Sequence, residues 1–155
     1  MDYSGYGDIR QIAAHPHDSG VILAGVGHLD PLPEGVDSVV SLCRLGRDQV
    51  PAAGIAPEDH VEVWLVDSSA PDDNPNLDFV LSDTADLVEQ LRNEGRTVLL
   101  HCVHAVSRTP TVAAMYAIHK QAVSAESALS GIRDDLPLSD PNRSFLDALV
   151  RHHLS

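Results

Sequence analysis

Cysteine and lysine are scarce in this 155-residue chain, and each shortage removes a class of protein. The two cysteines, Cys43 and Cys102, stand far apart. They are too few for a disulfide-stapled secreted scaffold or a cysteine-rich zinc site. Basic side chains number 10 against 23 acidic ones, for a formal charge of −13, and Lys120 is the sole lysine. A field of that sign repels duplex nucleic acid and anionic membrane surfaces, so neither is expected as a partner. No apolar run approaches the roughly 18–20 residues that a membrane span needs. The opening MDYSGYGDIRQ lacks the basic-then-apolar order of an export signal, and a soluble, cytoplasmic protein is expected.

Core material is ample, with 43% hydrophobic and 21% charged residues. The length suits a single domain over 1–155, with 1–8 as a flexible lead in which Tyr3 and Tyr6 read either as recognition residues or as a frayed end. Short apolar runs GVILAGVG (20–27), DSVVSLC (37–43), HVEVWLV (60–66) and TVLLHC (97–102) read as buried strands. IRQIA (9–13) is placed to pair with the first of them as a hairpin.

Helical patterns alternate with these runs. In NLDFVLSDTADLVEQLRNEG (76–95), Phe79, Val80, Leu87, Val88 and Leu91 recur at helical spacing, and Gly95 stands at the C-terminal stop. SRTPTVAAMYAIHKQA (107–122) tolerates Pro110 in its first turn. SAESALSGIRD (124–134) starts on Ser124 as N-cap. DPNRSFLDALVRHHL (140–154) offers Asp140 as cap, with Phe145, Leu146, Leu149 and Val150 on one face. The alternation predicts an α/β fold, a central mostly parallel sheet flanked by helices, with DSSAPDDNPN (67–76) as a long surface loop.

The richest segment is TVLLHCVHAVSRTPT (97–111), a buried strand, a tight loop and a helix starting near Arg108. Such a turn aims backbone N–H groups and the positive end of a helix dipole at one point, a seat for phosphate. Cys102 and Arg108 bracket it as Cys-x5-Arg. A thiol of pKa about 8.5 attacks poorly at neutral pH, and converging N–H donors stabilise its thiolate. A guanidinium grips two phosphate oxygens at once, which an ammonium cannot do.

HCVHAVSRT (101–109) resembles the His-Cys-x5-Arg-Ser/Thr signature of the cysteine-dependent protein tyrosine phosphatase superfamily, and more particularly its small dual-specificity branch. VILAGVG, VDSVVSLC and DPNRSFLDAL extend the likeness across most of the chain. The resemblance implies Cys102 as nucleophile and Arg108 as phosphate clamp, with the amides of Val103, His104, Ala105, Val106, Ser107 and Arg108 as cradle. It implies His101 as a support of the loop and Thr109 as a hydroxyl donor to the sulfur. Ala105 stands where many relatives carry Gly, so a demand for positive φ there would put loop geometry in question.

The resemblance also calls for a general acid from the loop before the long helix. Asp67, Asp72, Asp73 and Asp78 are the candidates. Asp67 is preferred because WLVDSSAP (64–71) resembles the compact relatives' pattern, with Asp72 and Asp73 as the alternatives. Cys43 ends a buried strand, where core packing explains it. Ser41-Leu42-Cys43 also resembles a strand of tensin-type lipid phosphatases that supplies a partner thiol, which implies a reversible Cys43–Cys102 disulfide. Arg44 and Arg47 read as solvated, and His104 as a loop histidine at the pocket rim or in solvent.

No cofactor or metal is expected. His15, His17, His152 and His153 read as exposed side chains, since a metal site needs about three or four convergent ligands. The loop carries no lysine for a polyanionic headgroup, and the short chain leaves little for a pocket-deepening insertion. The expected substrate is a phosphoprotein or phosphopeptide, on phosphotyrosine and also phosphoserine/threonine. A nucleotide or sugar phosphate phosphatase and a catalytically weak phospho-binding pseudophosphatase are the alternatives.

Overall fold

The computed structural model describes residues 9–154, the last two as backbone only; Tyr3 and Tyr6 lie outside the described residues. Its strands are β1 (Ile12–His15), β2 (Asp18–Ala24), β3 (Ser38–Ser41), β4 (His60–Glu62) and β5 (Val98–His101). They form one sheet in the order β1-β2-β5-β3-β4. The β1–β2 pair is the antiparallel hairpin expected from residues 9–27, and every other pairing is parallel. Because a strand's side chains alternate between faces, Val21, Leu23, Val40, Val98 and Leu100 line one core, while Ala24, Val39 and Leu99 line a second.

The helices are α1 (Leu77–Asn93), α2 (Arg108–Gln121), α3 (Ala125–Asp135) and α4 (Arg143–Leu154). All four add side chains to the first core. The second face is closed instead by loop residues Val26, Leu29, Ala52 and Ile55. Thr109 through Ile118 of α2 is buried without interruption, since this helix lies between α1, α3 and α4. Its small Ala113, Ala114 and Ala117 let three neighbours approach.

Several local expectations hold. The Ser124 hydroxyl accepts from Ser127 N–H at 3.0 Å and caps α3. Gly95 takes φ +81 just beyond α1, the left-handed stop that glycine adopts without a Cβ penalty. Gly25 has a second reason to lack a side chain, because a Cβ there would run into the Ile9 carbonyl.

Others are corrected. Phe79 is 71% exposed: α1 buries Leu77, Leu81, Thr84, Ala85 and Val88, a stripe that leaves position 79 on the outer side. In α4, Val150 is likewise exposed while Phe145, Ala148 and Leu149 are buried. That helix starts at Arg143, and its cap is Asn142, whose Oδ1 accepts from Phe145 N–H at 3.0 Å, in place of Asp140. The fourth strand ends at Glu62, because Leu65 N–H turns back onto Val63 C=O at 2.8 Å and bends the chain off the sheet. His15 is buried, its Nε2–H donating to Ala113 C=O at 2.8 Å while Nδ1 accepts from His17 N–H.

Asp18, at the start of β2, joins the sheet to two helices. Its carboxylate accepts from Arg92 Nε at 3.0 Å, Tyr116 Oη at 2.7 Å and Lys120 Nζ at 3.5 Å. Burial alone would raise this carboxyl; the hydrogen bonds from Arg92 and Tyr116 outweigh it and hold the group well below the ordinary carboxylate range. Asp18→Asn is expected to cost about 2 kcal/mol, the scale of hydrogen bonds to a charged group. Urea unfolding measures it, and an unchanged midpoint would contradict the anchoring role.

Candidate active site

Parallel strands β2, β5, β3 and β4 end on the same side of the sheet, where crevices form at their carboxyl ends. Chain leaving β5 passes through Cys102 and enters α2 at Arg108. In between, most backbone carbonyls are tied to groups outside the loop. Val103 C=O accepts from Val26 N–H at 2.9 Å, and Val106 C=O from Asp140 N–H at 2.6 Å. His104 C=O accepts from Gln11 Nε2 at 2.7 Å, and Ser107 C=O from Thr111 Oγ1 at 2.7 Å.

A trans peptide plane points its N–H opposite to its C=O. Anchoring the carbonyls of residues 103, 104, 106 and 107 therefore turns the amides of His104, Ala105, Ser107 and Arg108 away from those anchors. Among the described residues, the amides of Ala105, Val106, Ser107 and Arg108 donate to no protein group. Ser107 is the N-cap of α2 but makes no side-chain cap, since its hydroxyl accepts from Asn142 N–H at 3.1 Å. The helix N-terminus thus stays open toward the loop, with orphan donors and the positive dipole end available to an anion.

Ala105 has φ +58, so the position does take the left-handed conformation that glycine adopts most readily. Its methyl group is fully buried in the first core. An L-residue there costs roughly 1–2 kcal/mol. The tied carbonyls on either side over-determine the backbone and hold it in place.

Asp67, Cys102, His104, Val106, Ser107 and Arg108 line one narrow cleft. Arg108 reaches over it, Nη1 donating to Leu65 C=O at 3.3 Å. The bend that ends β4 carries that carbonyl, and Asp67 two residues on, to the cleft. Asp67 Oδ1 accepts from Asn142 Nδ2 at 2.8 Å. Asp72 and Asp73 lie in an exposed turn over Pro71–Asp73, outside the residues lining the cleft, and Asp78 pairs with Arg151 at 2.6 Å. Cys102 is 2% exposed, and the hydroxyl of Thr109, fully buried, has no hydrogen-bond partner among the described residues.

Beneath the loop, His101 Nδ1 lies 3.2 Å from Cys102 C=O and Nε2 lies 2.6 Å from Ser41 Oγ. Burial pulls His101 down to about 4. Cys43 and Cys102 are free thiols in the same apolar cluster, and burial pushes Cys43 up to about 12, against the pull of Arg108. Arg44 stacks on the exposed Trp64 ring at 4.1 Å from its centroid.

Sequence reasoning missed Asn142, which fastens Asp67, Ser107 and the start of α4 at once. Its signal was an amide residue three positions before Phe145 at a helix start, read there as part of a family segment with the cap assigned to Asp140. It also missed Ser41 and His60, both within strand runs quoted for their apolar neighbours.

A family model for the dual specificity phosphatase catalytic domain matches residues 52–154. The chain belongs to that family. Among curated proteins it is 26% identical over 77 residues to dual specificity protein phosphatase 1 of Arabidopsis thaliana, covering 50% of this chain and 39% of that protein. It is 34% identical over 68 residues to the dual specificity protein phosphatase Mpk3 of Drosophila melanogaster, covering 44% and 16%. The chain thus spans well under half the length of these relatives. Solved structures match the fold more widely. Human DUSP28 superposes with a TM-score of 0.73 at 19% identity, covering 87% of this chain and 88% of that one. The Cydia pomonella PTP-2 phosphatase gives 0.73 at 23% identity, covering 91% and 89%.

The buried histidines set a pH limit on the fold. Unfolded His101 takes up a proton near 6.5 and folded His101 only near about 4, so between these values the unfolded state binds more protons. Stability therefore falls as pH drops through that window, by on the order of 3 kcal/mol from this residue. His15 and His60, also lowered chiefly by burial, act in the same direction. Urea midpoints measured from about pH 7 to about pH 4.5 should decline steadily. A flat profile would show that His101 is protonated in the folded protein.

Proposed function

We propose that this protein is a phosphomonoester hydrolase acting on phosphotyrosine and also phosphoserine/threonine in proteins, through a phosphocysteine intermediate. The observation that carries the reading is the shared cleft of Asp67, Cys102 and Arg108 at the open N-terminus of α2. A phosphate monoester seated there meets orphan N–H groups and the Arg108 fork. The Cys102 sulfur attacks phosphorus in line, the P–O bond to the leaving group breaks, and Asp67 delivers a proton to the departing oxygen. Water then attacks the phosphocysteine, gives a proton to Asp67, and releases inorganic phosphate with the thiolate restored. His101 supports the loop and Thr109 assists the departing sulfur. None of these steps calls for a metal or cofactor.

Asn142 supports Asp67 as the acid: one carboxylate oxygen is held by the amide, which leaves the other to carry the proton. The amide's orientation is itself set, because its oxygen caps α4 through Phe145 N–H. A narrow cleft lined by no lysine suits a single phosphate on a protein surface. The cytoplasm suits a chain whose described helices include none long and apolar enough to cross a membrane.

Cys102→Ser is expected to abolish hydrolysis of p-nitrophenyl phosphate, and Asp67→Asn to slow hydrolysis of alkyl and phenyl phosphates about 10²–10⁴-fold. Loss of rate only in Asp72→Asn or Asp73→Asn would move the acid. Wild-type activity equal to Cys102→Ser would favour a phospho-binding pseudophosphatase, and a strong preference for nucleotide or sugar phosphates over phosphopeptides would overturn the substrate class.

Cys43 is a proposed redox partner, with no part in turnover. Hydrogen peroxide oxidises the Cys102 thiolate to a sulfenic acid; the Cys43 sulfur then displaces its hydroxyl group, forming the disulfide and water. Mass spectrometry after mild peroxide should show the Cys43–Cys102 crosslink. Cys102 sulfinic acid without a crosslink would rule it out.

A further inference from the structure

A row of five polar groups, joined by four hydrogen bonds, runs across the sheet under the cleft. Ala52 N–H approaches His60 Nδ1 at 3.0 Å, and His60 Nε2 approaches Ser41 Oγ at 2.8 Å. Ser41 Oγ approaches His101 Nε2 at 2.6 Å, and His101 Nδ1 approaches Cys102 C=O at 3.2 Å. Ser41 and His101 are fully buried and His60 nearly so, on β3, β5 and β4.

Both ends of the row have a fixed role. Ala52 N–H can only donate, so His60 Nδ1 must be its bare nitrogen and the ring's proton sits on Nε2. Cys102 C=O can only accept, so His101 must carry its proton on Nδ1 and leave Nε2 bare. Ser41 is the one member that can both accept and donate. It accepts from His60 Nε2–H and gives its single hydroxyl proton to His101 Nε2. Read from either end, the row closes with one neutral tautomer of each imidazole and no proton left over.

We infer that His60 and Ser41 form a tautomer lock, positioning residues that keep His101 in its Nδ1–H form so that it grips the Cys102 carbonyl and orients the nucleophile. Without the Ser41 hydroxyl, His101 Nε2 would be a buried acceptor with no donor. The Nδ1–H form would keep only the 3.2 Å bond to Cys102 C=O, and the other form would set a bare Nδ1 lone pair against the lone pairs of that carbonyl. That repulsion acts on the backbone atom next to the Cys102 side chain. A second N–H proton on either ring also breaks the row. Protonated His60 would set Nδ1–H against Ala52 N–H, and protonated His101 would leave the Ser41 hydroxyl proton unplaced. Burial opposes a charge on both rings: at His60 it outweighs Glu62, which favours charge, and at His101 the neighbouring ring and Arg108 add to it and outweigh the Cys102 carbonyl.

The lock serves the phosphatase reading, but its first test needs no turnover. Long-range proton–nitrogen NMR spectra of the full chain labelled with ¹⁵N-histidine report which ring nitrogen holds the proton. Wild type should show His101 as the Nδ1–H tautomer and His60 as Nε2–H, both neutral at neutral pH. Finding His101 as Nε2–H, or either ring as a tautomer mixture, overturns the lock whatever the activity. In Ser41→Ala, the His101 Nε2 signal should shift as it loses its donor, with kcat for p-nitrophenyl phosphate falling roughly 10–100-fold, the scale of a displaced reacting group, and KM nearly unchanged. An unmoved His101 spectrum together with wild-type kcat in that variant also overturns it. If Ser41→Ala does not fold, the wild-type tautomers decide alone. Wild type that shows both tautomers but hydrolyses no phosphate ester would sink the phosphatase reading and leave the lock standing.

Discussion

The tying back of the carbonyls between Val103 and Ser107 is the constraint on which the site depends. A peptide unit cannot turn its C=O one way without sending its N–H the other. Each anchor, from Val26, Gln11, Asp140 and Thr111, is therefore also an instruction to an amide. The anchors come from the β2 edge, from the chain before β1, from the approach to α4 and from α2 itself. The proposed anion seat of five or six residues is in this sense built by most of the fold, and among its residues Arg108 is the one with a fixed positive charge. That matters in a chain of formal charge −13, where long-range attraction of a phosphate is not available. Backbone dipoles act over short range and are unaffected by the sign of the surface.

What could be read from the sequence, and what could not, divides along the reach of the underlying physics. The strands' order along the chain, the Ser124 cap, the Gly95 stop and the strand-loop-helix around Cys102 are set by neighbours within a few residues, and they stand where the sequence placed them, while the ends of the strand runs 20–27 and 60–66 do not. Phe79 was misplaced because two overlapping apolar stripes on α1 satisfy helical spacing, and only the position of α2 decides which stripe is buried. His15 looked like a surface strand residue because its partner, Ala113 C=O, is 98 residues away. Asn142 was legible as a family segment but not as a bracket, since Asp67 and Ser107 come to it from distant parts of the chain. Family likeness supplied the roles of Cys102 and Arg108, while the contacts of Ser41 and His60 come from strand register.

Ala105 shows how a local preference is overridden. Left to itself the residue would avoid φ +58, and glycine would be the easier choice. Yet the Ala105 methyl group is fully enclosed by the core, so glycine would remove buried apolar contact as it relieved the backbone. The backbone cost of roughly 1–2 kcal/mol is partly offset by about 1 kcal/mol from the buried methyl group, so alanine is tolerable where the flanking peptide units are already held. The strain falls at the turn where the loop must fold back toward Arg108, which is where a departure from ordinary backbone geometry is of use.

The row from Ala52 to Cys102 extends the same economy downward into the sheet. A buried charge under Cys102 would add field but would demand a partner and a desolvation cost of several kcal/mol. Two neutral imidazoles and a hydroxyl avoid that demand, because every proton in the row has an acceptor and each bare ring nitrogen has a donor. The register Val39↔His60 and Ser41↔His101 places the three side chains side by side, so the row is a consequence of how β4, β3 and β5 pair. A slip of one residue in either pairing would turn Ser41 or His60 to the opposite face and break the row that ends on Cys102 C=O. The geometry of the loop and the register of the strands are thus a single requirement, met by hydrogen bonds whose direction admits one arrangement.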